Sequence, residues 1–430
     1  MIVVPNADHP LLGMQVHFGG GSVTDPLGQE GLTYLTGQML MRGCGALNQA
    51  QFSEAVDYLG ATLGVSVGRE YFVIEGEVLS RNVEEYVALL EEVILQPRFS
   101  QDQLDLLKRQ SYAALEERRD NDEALAREFF FQIAHLPDRI SRPTMGTRES
   151  LERIDREDVV QCAQRIISSQ NHFVCAVGDV TESFVEERLA TPLRGLSGGE
   201  RLVPRRIALE EPERVRVVLI DKPKRTQSQI VLGHPAIPAA HDDHLALSVG
   251  NLLFGGTFTA RLSHEIREKR GWSYGAYSNL ASLRHQGMFS YRYYPSVTDT
   301  VPALELGLRL LSDLVSEGVS EDEVQFAKSF LTNQYAFRVE TAWSRLDEVI
   351  RAHYLGLPDD HLETYVDRVN ALSVDAINQA LRTHLSPNKL LVVMVCTADM
   401  LADSIRALPA VDSVEIHPYA NDWPQGDTLL

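Results

Sequence analysis

The residues best suited to chemistry lie in one stretch, Leu262 to Ser278, LSHEIREKRGWSYGAYS, where Tyr274 follows Arg267 by seven positions. Arginine stays protonated and presents several donors in a rigid fork, which suits it to holding peptide carbonyls. A tyrosine hydroxyl can donate to an oxyanion as it develops. On residue type alone such a pair is more often surface and packing. Gly271 interrupts the helical pattern between them, so a turn sets their relation, not helical phase alone. Trp272 and Tyr277 lie close by and read as packing residues. Two other clusters need weighing. HDDH at His241 to His244 puts four metal-capable side chains in a row. Adjacent residues do not all converge on one ion, and Asp242 or Asp243 stands where it would cap a helix starting near His244. Gly255-Gly256-Thr257 lacks the Gly-Lys-Ser/Thr that completes a phosphate loop, so it reads as a turn. There is no G-x-S-x-G elbow, and no cysteine carries a local signature.

These residues need a scaffold, and 430 residues with 44% hydrophobic and 23% charged content exceed one ordinary domain and allow each of two a real core. A formal charge of −20 speaks against nucleic acid or anionic membrane as the main partner and is compatible with basic peptides. Cys44, Cys162, Cys175 and Cys396 are scattered, and Cys175 and Cys396 sit in apolar strand-like runs, as buried thiols do. No disulfide framework is implied, which favours a reducing compartment. MIVVPNADHP has no basic n-region and is not a signal peptide as it stands. The run LLVVMVC is far too short for a membrane span. The expectation is a soluble chain, cytoplasmic, or periplasmic if a signal peptide has been removed.

Along the chain, LLGMQVHF alternates as a strand and ends in Gly19-Gly20-Gly21, and GLTYLTGQMLMRG is a short apolar helix. ATLGVSVGREYFVIEGEVLS holds two strand-like runs, and VEEYVALLEEVILQ is helical until Pro97. A longer helix follows from about Gln101 to Arg119, with Ser100 as its N-cap. Helical pattern resumes in ALAREFFFQIAHL and from Asp155 to Ser168, and HFVCAVG closes the half as a strand. The same order then returns. NHFVCAVGDV resembles NKLLVVMVCTADM about 217 positions on, FSQDQLDLLKRQSYAAL resembles VSEDEVQFAKSFLTNQY at 220, and GLTYLTGQML matches HLALSVGNLL at 213. Offsets this steady imply a duplicated domain. The expected architecture is α+β: two homologous domains, residues 1–190 and 214–430, each a mostly antiparallel sheet packed by helices. A Gly-, Pro- and charge-rich linker at 191–213 joins them.

GLTYLTGQMLMRG has the outline of G-L-A-H-F-L-E-H-M-x-F-x-G, the zinc helix of the pitrilysin/insulinase-type metallopeptidases, or inverted zincins. In that family H-x-x-E-H supplies two zinc ligands and the glutamate that activates the metal-bound water. Here Tyr34, Gly37 and Gln38 stand at the three positions; Tyr and Gln are poor zinc ligands, and a glycine cannot take a proton from water. The third ligand of the family falls near Leu115 or Glu116. Glu116 and Glu117, without the histidines, read as a solvated helix face. GGGSVTDPLGQEGL, PERVRVVLIDKPKRTQSQIVLGHPAI and LLFGGTFTARLSHEIREKRGWSYGAYS extend the resemblance over essentially the whole chain. In the family an Arg and a Tyr seven residues apart bind substrate opposite the zinc, which implies that role for Arg267 and Tyr274. The resemblance therefore implies a non-zinc subunit: no cofactor and no catalytic residue on this chain alone, and a homologous zinc-binding partner. Together they would form a heterodimer that cleaves unfolded peptides bound partly by strand addition. Two alternatives stand beside it, a purely structural subunit and a self-sufficient hydrolase with unrecognised ligands.

Overall fold

HFVCAVG and LLVVMVC are apolar without alternation because each becomes a central strand covered on both faces. Val174 and Ala176 face one core while Cys175 and Val177 face another. Val392, Met394 and Cys396 likewise turn away from Leu391, Val393 and Val395. All four cysteines are buried free thiols. The computed structural model describes residues 1–422 except 197, 204–206, 208 and 210, so the linker expected at 191–213 lies partly outside the described residues.

The first sheet contains β1 (Ile2–Pro5), β2 (Leu11–Gly19), β3 (Thr62–Val67), β4 (Tyr71–Leu79) and β5 (His172–Gly178), in the order β1-β5-β2-β4-β3. The second contains β6 (Val215–Asp221), β7 (Gln229–Ala236), β8 (Ala276–Ala281), β9 (Gly287–Tyr293), β10 (Leu391–Cys396) and β11 (Val411–Pro418), in the order β11-β6-β10-β7-β9-β8. Apart from β11 the orders correspond strand for strand. In both, the first strand pairs in parallel with the last of the repeat; β11 adds a second parallel pairing on β6, and the rest pair antiparallel. The duplication expected from the sequence is present in the fold.

Six helices do the positioning: α1 (Leu32–Leu40), α2 (Gln101–Asp120), α3 (Asp122–Ala134), α4 (His244–Asn251), α5 (Ala342–Leu355) and α6 (Val374–His384). Two of them do not stay with their own half. Leu125, Ala126, Phe129, Phe130 and Ile133 of α3 pack on Val218, Ile220, Val393 and Val395 of the second sheet. Ala342, Leu346 and Ile350 of α5 pack on Cys175 and Val177 of the first. The exchange is tight enough to demand glycine beneath it. A Cβ on Gly13 of β2 would lie 1.5 Å from the Trp343 indole of α5, and one on Gly233 of β7 would lie 2.8 Å from the Phe130 ring of α3.

Ion pairs pin both crossings. Buried Lys222, just past β6, donates to the carbonyls of Arg119 (2.7 Å) and Asp120 (3.3 Å) and to Asp122 Oδ1 (2.6 Å). It thus serves the unpaired carbonyls that end α2 and favours its negative pole. On the return crossing Arg338 pairs with Glu348 of α5 at 2.6 Å, and Arg351 joins at 3.0 Å. Among the described residues no helix is long and apolar enough to cross a membrane.

Removing Lys222 leaves two helix-end carbonyls and part of the Asp122 charge unserved, so Lys222→Met should lower unfolding stability by about 3 kcal/mol. Urea unfolding of the variant against the parent measures this, and equal midpoints would show the crossing held by apolar packing alone.

Candidate functional site

The segment before α1 serves its backbone. Asp25 accepts hydrogen bonds from Gly31 N (2.9 Å), Thr33 N (2.9 Å) and Thr33 Oγ1 (2.5 Å), satisfying donors left open at a helix start. Burial pushes the Asp25 carboxyl up to about 7 against the pull of those three bonds. On α1 itself, Tyr34 and Gln38 are half-buried and Gly37 is buried. A Cβ on Gly37 would stand 2.8 Å from methyl groups of both Val65 and Val67 and 3.1 Å from the Phe72 ring. The position where an inverted zincin carries its glutamate is therefore closed by strand β3 as well as stripped of its carboxylate. Glu116 is exposed and pairs with Arg148 at 3.1 Å, and Glu117 is exposed, the solvated face expected of them.

Arg267 and Tyr274 share one turn. Residues His264–Glu268 form a π-helical turn, in which Lys269 N donates to His264 O at 3.0 Å, a local geometry frequent at functional positions. Gly271, with φ +64°, ends it, and Trp272 N returns to Ile266 O at 3.0 Å. No neighbour lies near enough to obstruct a Cβ on Gly271, so the backbone angle alone calls for glycine there. Ile266 and Ala276, both fully buried, fasten the turn to the core on either side. Ser273 adds a buried hydroxyl that donates to Gly275 O (2.6 Å) and accepts from Tyr294 N (2.9 Å).

The two side chains differ. The Arg267 guanidinium stacks over the Phe258 ring at 3.7 Å and keeps 27% of its side-chain surface exposed, with Glu268 3.9 Å away. Tyr274 is 89% exposed, and among the described residues no hydrogen bond or ring contact holds it. Phe258 escaped the sequence reading because it lies nine residues before Arg267, across a turn, where no periodicity links them. Trp272 packs against the core of the second half with Arg270 over its ring, and Tyr277 lies under Arg292, the packing roles expected. Gly255 and Gly256 lie not in a turn but in a π-helical stretch, Leu252–Gly256, that continues α4, and a Cβ on Gly255 would meet Ser278 N of β8 at 2.7 Å.

The HDDH stretch departs from expectation. Asp243 occupies the N-cap position of α4, but its side chain makes no cap bond. Asp243 Oδ2 instead accepts from His384 Nε2 at 2.8 Å, at the far end of α6. Ser100 likewise precedes α2 without a cap bond from its side chain. Tertiary partners outcompeted Asp243's local capping role, and a partner 141 residues away leaves no trace in local sequence.

Residues 2–148 match the family model "Insulinase (Peptidase family M16)", and residues 153–331 match "Peptidase M16 inactive domain". The chain belongs to peptidase family M16. Its likeness to the inverted zincins is thus a family membership, and Tyr34, Gly37 and Gln38 mark it as a member without the family's zinc ligands on α1. A Helicobacter pylori M16 relative described as "Non-peptidase homolog YmxG" is 26% identical over 381 residues, 88% of this chain and 87% of that one. A Bacillus subtilis relative described as "Uncharacterized zinc protease YmxG" is 19% identical over 84% of this chain and 88% of that one. A solved structure, the peptidase M16 inactive domain from Pseudomonas fluorescens, has the same fold with a TM-score of 0.84 at 23% identity, over 91% of this chain and 94% of that one.

The closed space at Gly37 makes a testable demand on α1. Gly37→Glu gains about 0.5–1 kcal/mol of helix propensity, yet overpacking against Val65 and Val67 costs about 1–3 kcal/mol. A net loss of stability in urea unfolding is expected, and a variant more stable than the parent would show that β3 yields freely.

Proposed function

We propose that this chain is the non-zinc subunit of a heterodimeric M16 metallopeptidase, with zinc held by a homologous partner. Arg267 and Tyr274 supply the substrate contacts. The observation that carries this reading is one fixed turn that presents a stacked arginine and an unengaged tyrosine to solvent. It does so in a chain whose own zinc helix lacks both histidines and the glutamate. Arg267 would hold a peptide carbonyl, and the Tyr274 hydroxyl would donate to the oxyanion formed when the partner's site attacks. Unfolded peptides fit as substrates, basic ones being favoured by the charge of −20. The domain limits 1–190 and 214–430 belong to the same proposal, each domain contributing one M16 unit to the assembly.

One observation favours a second reading, a subunit with a purely structural role: the Helicobacter pylori relative is described as a non-peptidase homolog. The two readings separate in one experiment. The chain is mixed with a homologous M16 chain bearing H-x-x-E-H, and hydrolysis of an unstructured peptide is followed. The mixture should be active and each chain alone inactive. Arg267→Ala or Tyr274→Phe should cut kcat/KM by about 10²-fold, the scale of a lost oxyanion donor. Assembly with unchanged rates in both variants would favour the structural reading.

A further inference from the structure

The described residues contain one group of metal-capable side chains that converge, and it is not on α1. His241 and Asp243 lie on the turn entering α4 and His384 ends α6, with one ligand atom of each within 4.8 Å of the others. His384 Nε2 and Asp243 Oδ2 are 2.8 Å apart, Asp243 N donates to His241 Nδ1 at 3.1 Å, and the two imidazoles meet edge to face with centroids 5.1 Å apart. Sequence spacing excluded four adjacent residues as a ligand set. The fold does something different: it takes two of the four and adds a histidine from another helix.

Two imidazoles and a carboxylate are a donor set for divalent transition metals, and three protein ligands leave a fourth position for water. Zinc bonds of about 2.0–2.2 Å place tetrahedral ligand atoms roughly 3.3–3.5 Å apart. The His384–Asp243 pair must therefore open by about half an ångström. His241 must turn inward, giving up the bond to Asp243 N, which its exposure allows. Exposure is graded across the site: the His384 side chain is 13% exposed and that of Asp243 49%. One ligand is thus held by packing and the others adapt. The C-terminal end of α6 adds a favourable pole for a cation. The imidazole of neighbouring His244 is already engaged, by Ser282 Oγ at Nε2 (3.1 Å) and Ser248 Oγ at Nδ1 (3.4 Å).

We infer that His241, Asp243 and His384 bind one divalent transition metal ion, zinc foremost, which ties the entry of α4 to the end of α6. An Asp–His hydrogen bond alone would account for two of these residues. The third, His241, shares the turn with Asp243 and lies within reach of the same point, which makes a chelate.

The test uses the full chain, stripped with a chelator and titrated with Zn²⁺ against a chromophoric competitor, with Co²⁺ as a spectroscopic probe. One equivalent should bind, with d–d bands of a low-symmetry Co²⁺ site and a thermal midpoint that rises with added zinc. His384→Gln and His241→Ala should each weaken binding at least about tenfold. Asp243→Asn, a change at a half-exposed position, serves as the variant least able to disturb folding. Gln38→Ala, on the former zinc helix, should leave affinity unchanged. Failure to bind a stoichiometric ion, or equal affinity in parent and all three ligand variants, would overturn the inference. Binding is read on the chain alone, so the outcome is independent of the Arg267 and Tyr274 experiment.

Discussion

The fold depends on an exchange between its halves: each sheet is covered on one face by a helix the other half supplies. Neither sheet is complete without it, because strands such as β5 and β10 are apolar on both faces and would otherwise expose one. Helices α3 and α5 occupy equivalent places in the two repeats, so the exchange is reciprocal and follows the symmetry of the duplication. Each crossing is a point where the chain leaves one core for another, and both are pinned electrostatically. Lys222 sits where α2 ends and α3 begins, and the Arg338–Glu348 pair ties the preceding helix to α5. The apolar faces supply most of the binding between halves, while the ion pairs fix where the crossings occur.

This constraint shapes what each repeat can do. In the first, α1 packs close enough to β3 that position 37 has room for hydrogen only, while Tyr34 packs against the core and Gln38 is half-buried. In the second, the equivalent α4 begins at a turn whose Asp243 is drawn to α6. The two repeats share a plan but have diverged at the helix where the family keeps its chemistry. The first carries Tyr34, Gly37 and Gln38 there, and in the second Asp243 pairs with His384 from another helix.

Much of this was legible in the sequence. Strand and helix runs, their order and the duplication followed from periodicity and from matched segments at steady offsets, because both repeats build the same sheet. The loss at Tyr34, Gly37 and Gln38 could be read directly, since it depends only on residue type. The exchange could not. ALAREFFFQIAHL reads as an apolar helix, but an apolar face does not say which sheet it will cover. Phe258 and His384 were invisible for the same reason: each matters through a partner brought close by tertiary folding. Asp243 shows the limit most clearly, because its local capping role was sound chemistry and a more distant histidine prevailed.

In the role proposed for it, the turn at Arg267 and Tyr274 would divide the cost of binding unevenly. Arg267 already rests on Phe258, so little rotamer freedom is left to lose when a ligand arrives. Tyr274 has no hydrogen-bond or ring partner among the described residues, and ordering it against a ligand would cost about 0.5–1.5 kcal/mol. Tyr274 stands at the end of a turn fastened by Ile266, Ser273 and Ala276. An exposed aromatic on such a base would suit the contact proposed for it, one completed by a second molecule. That asymmetry, one side chain held in place and the other waiting, is the physical reason to look for function here and not at α1.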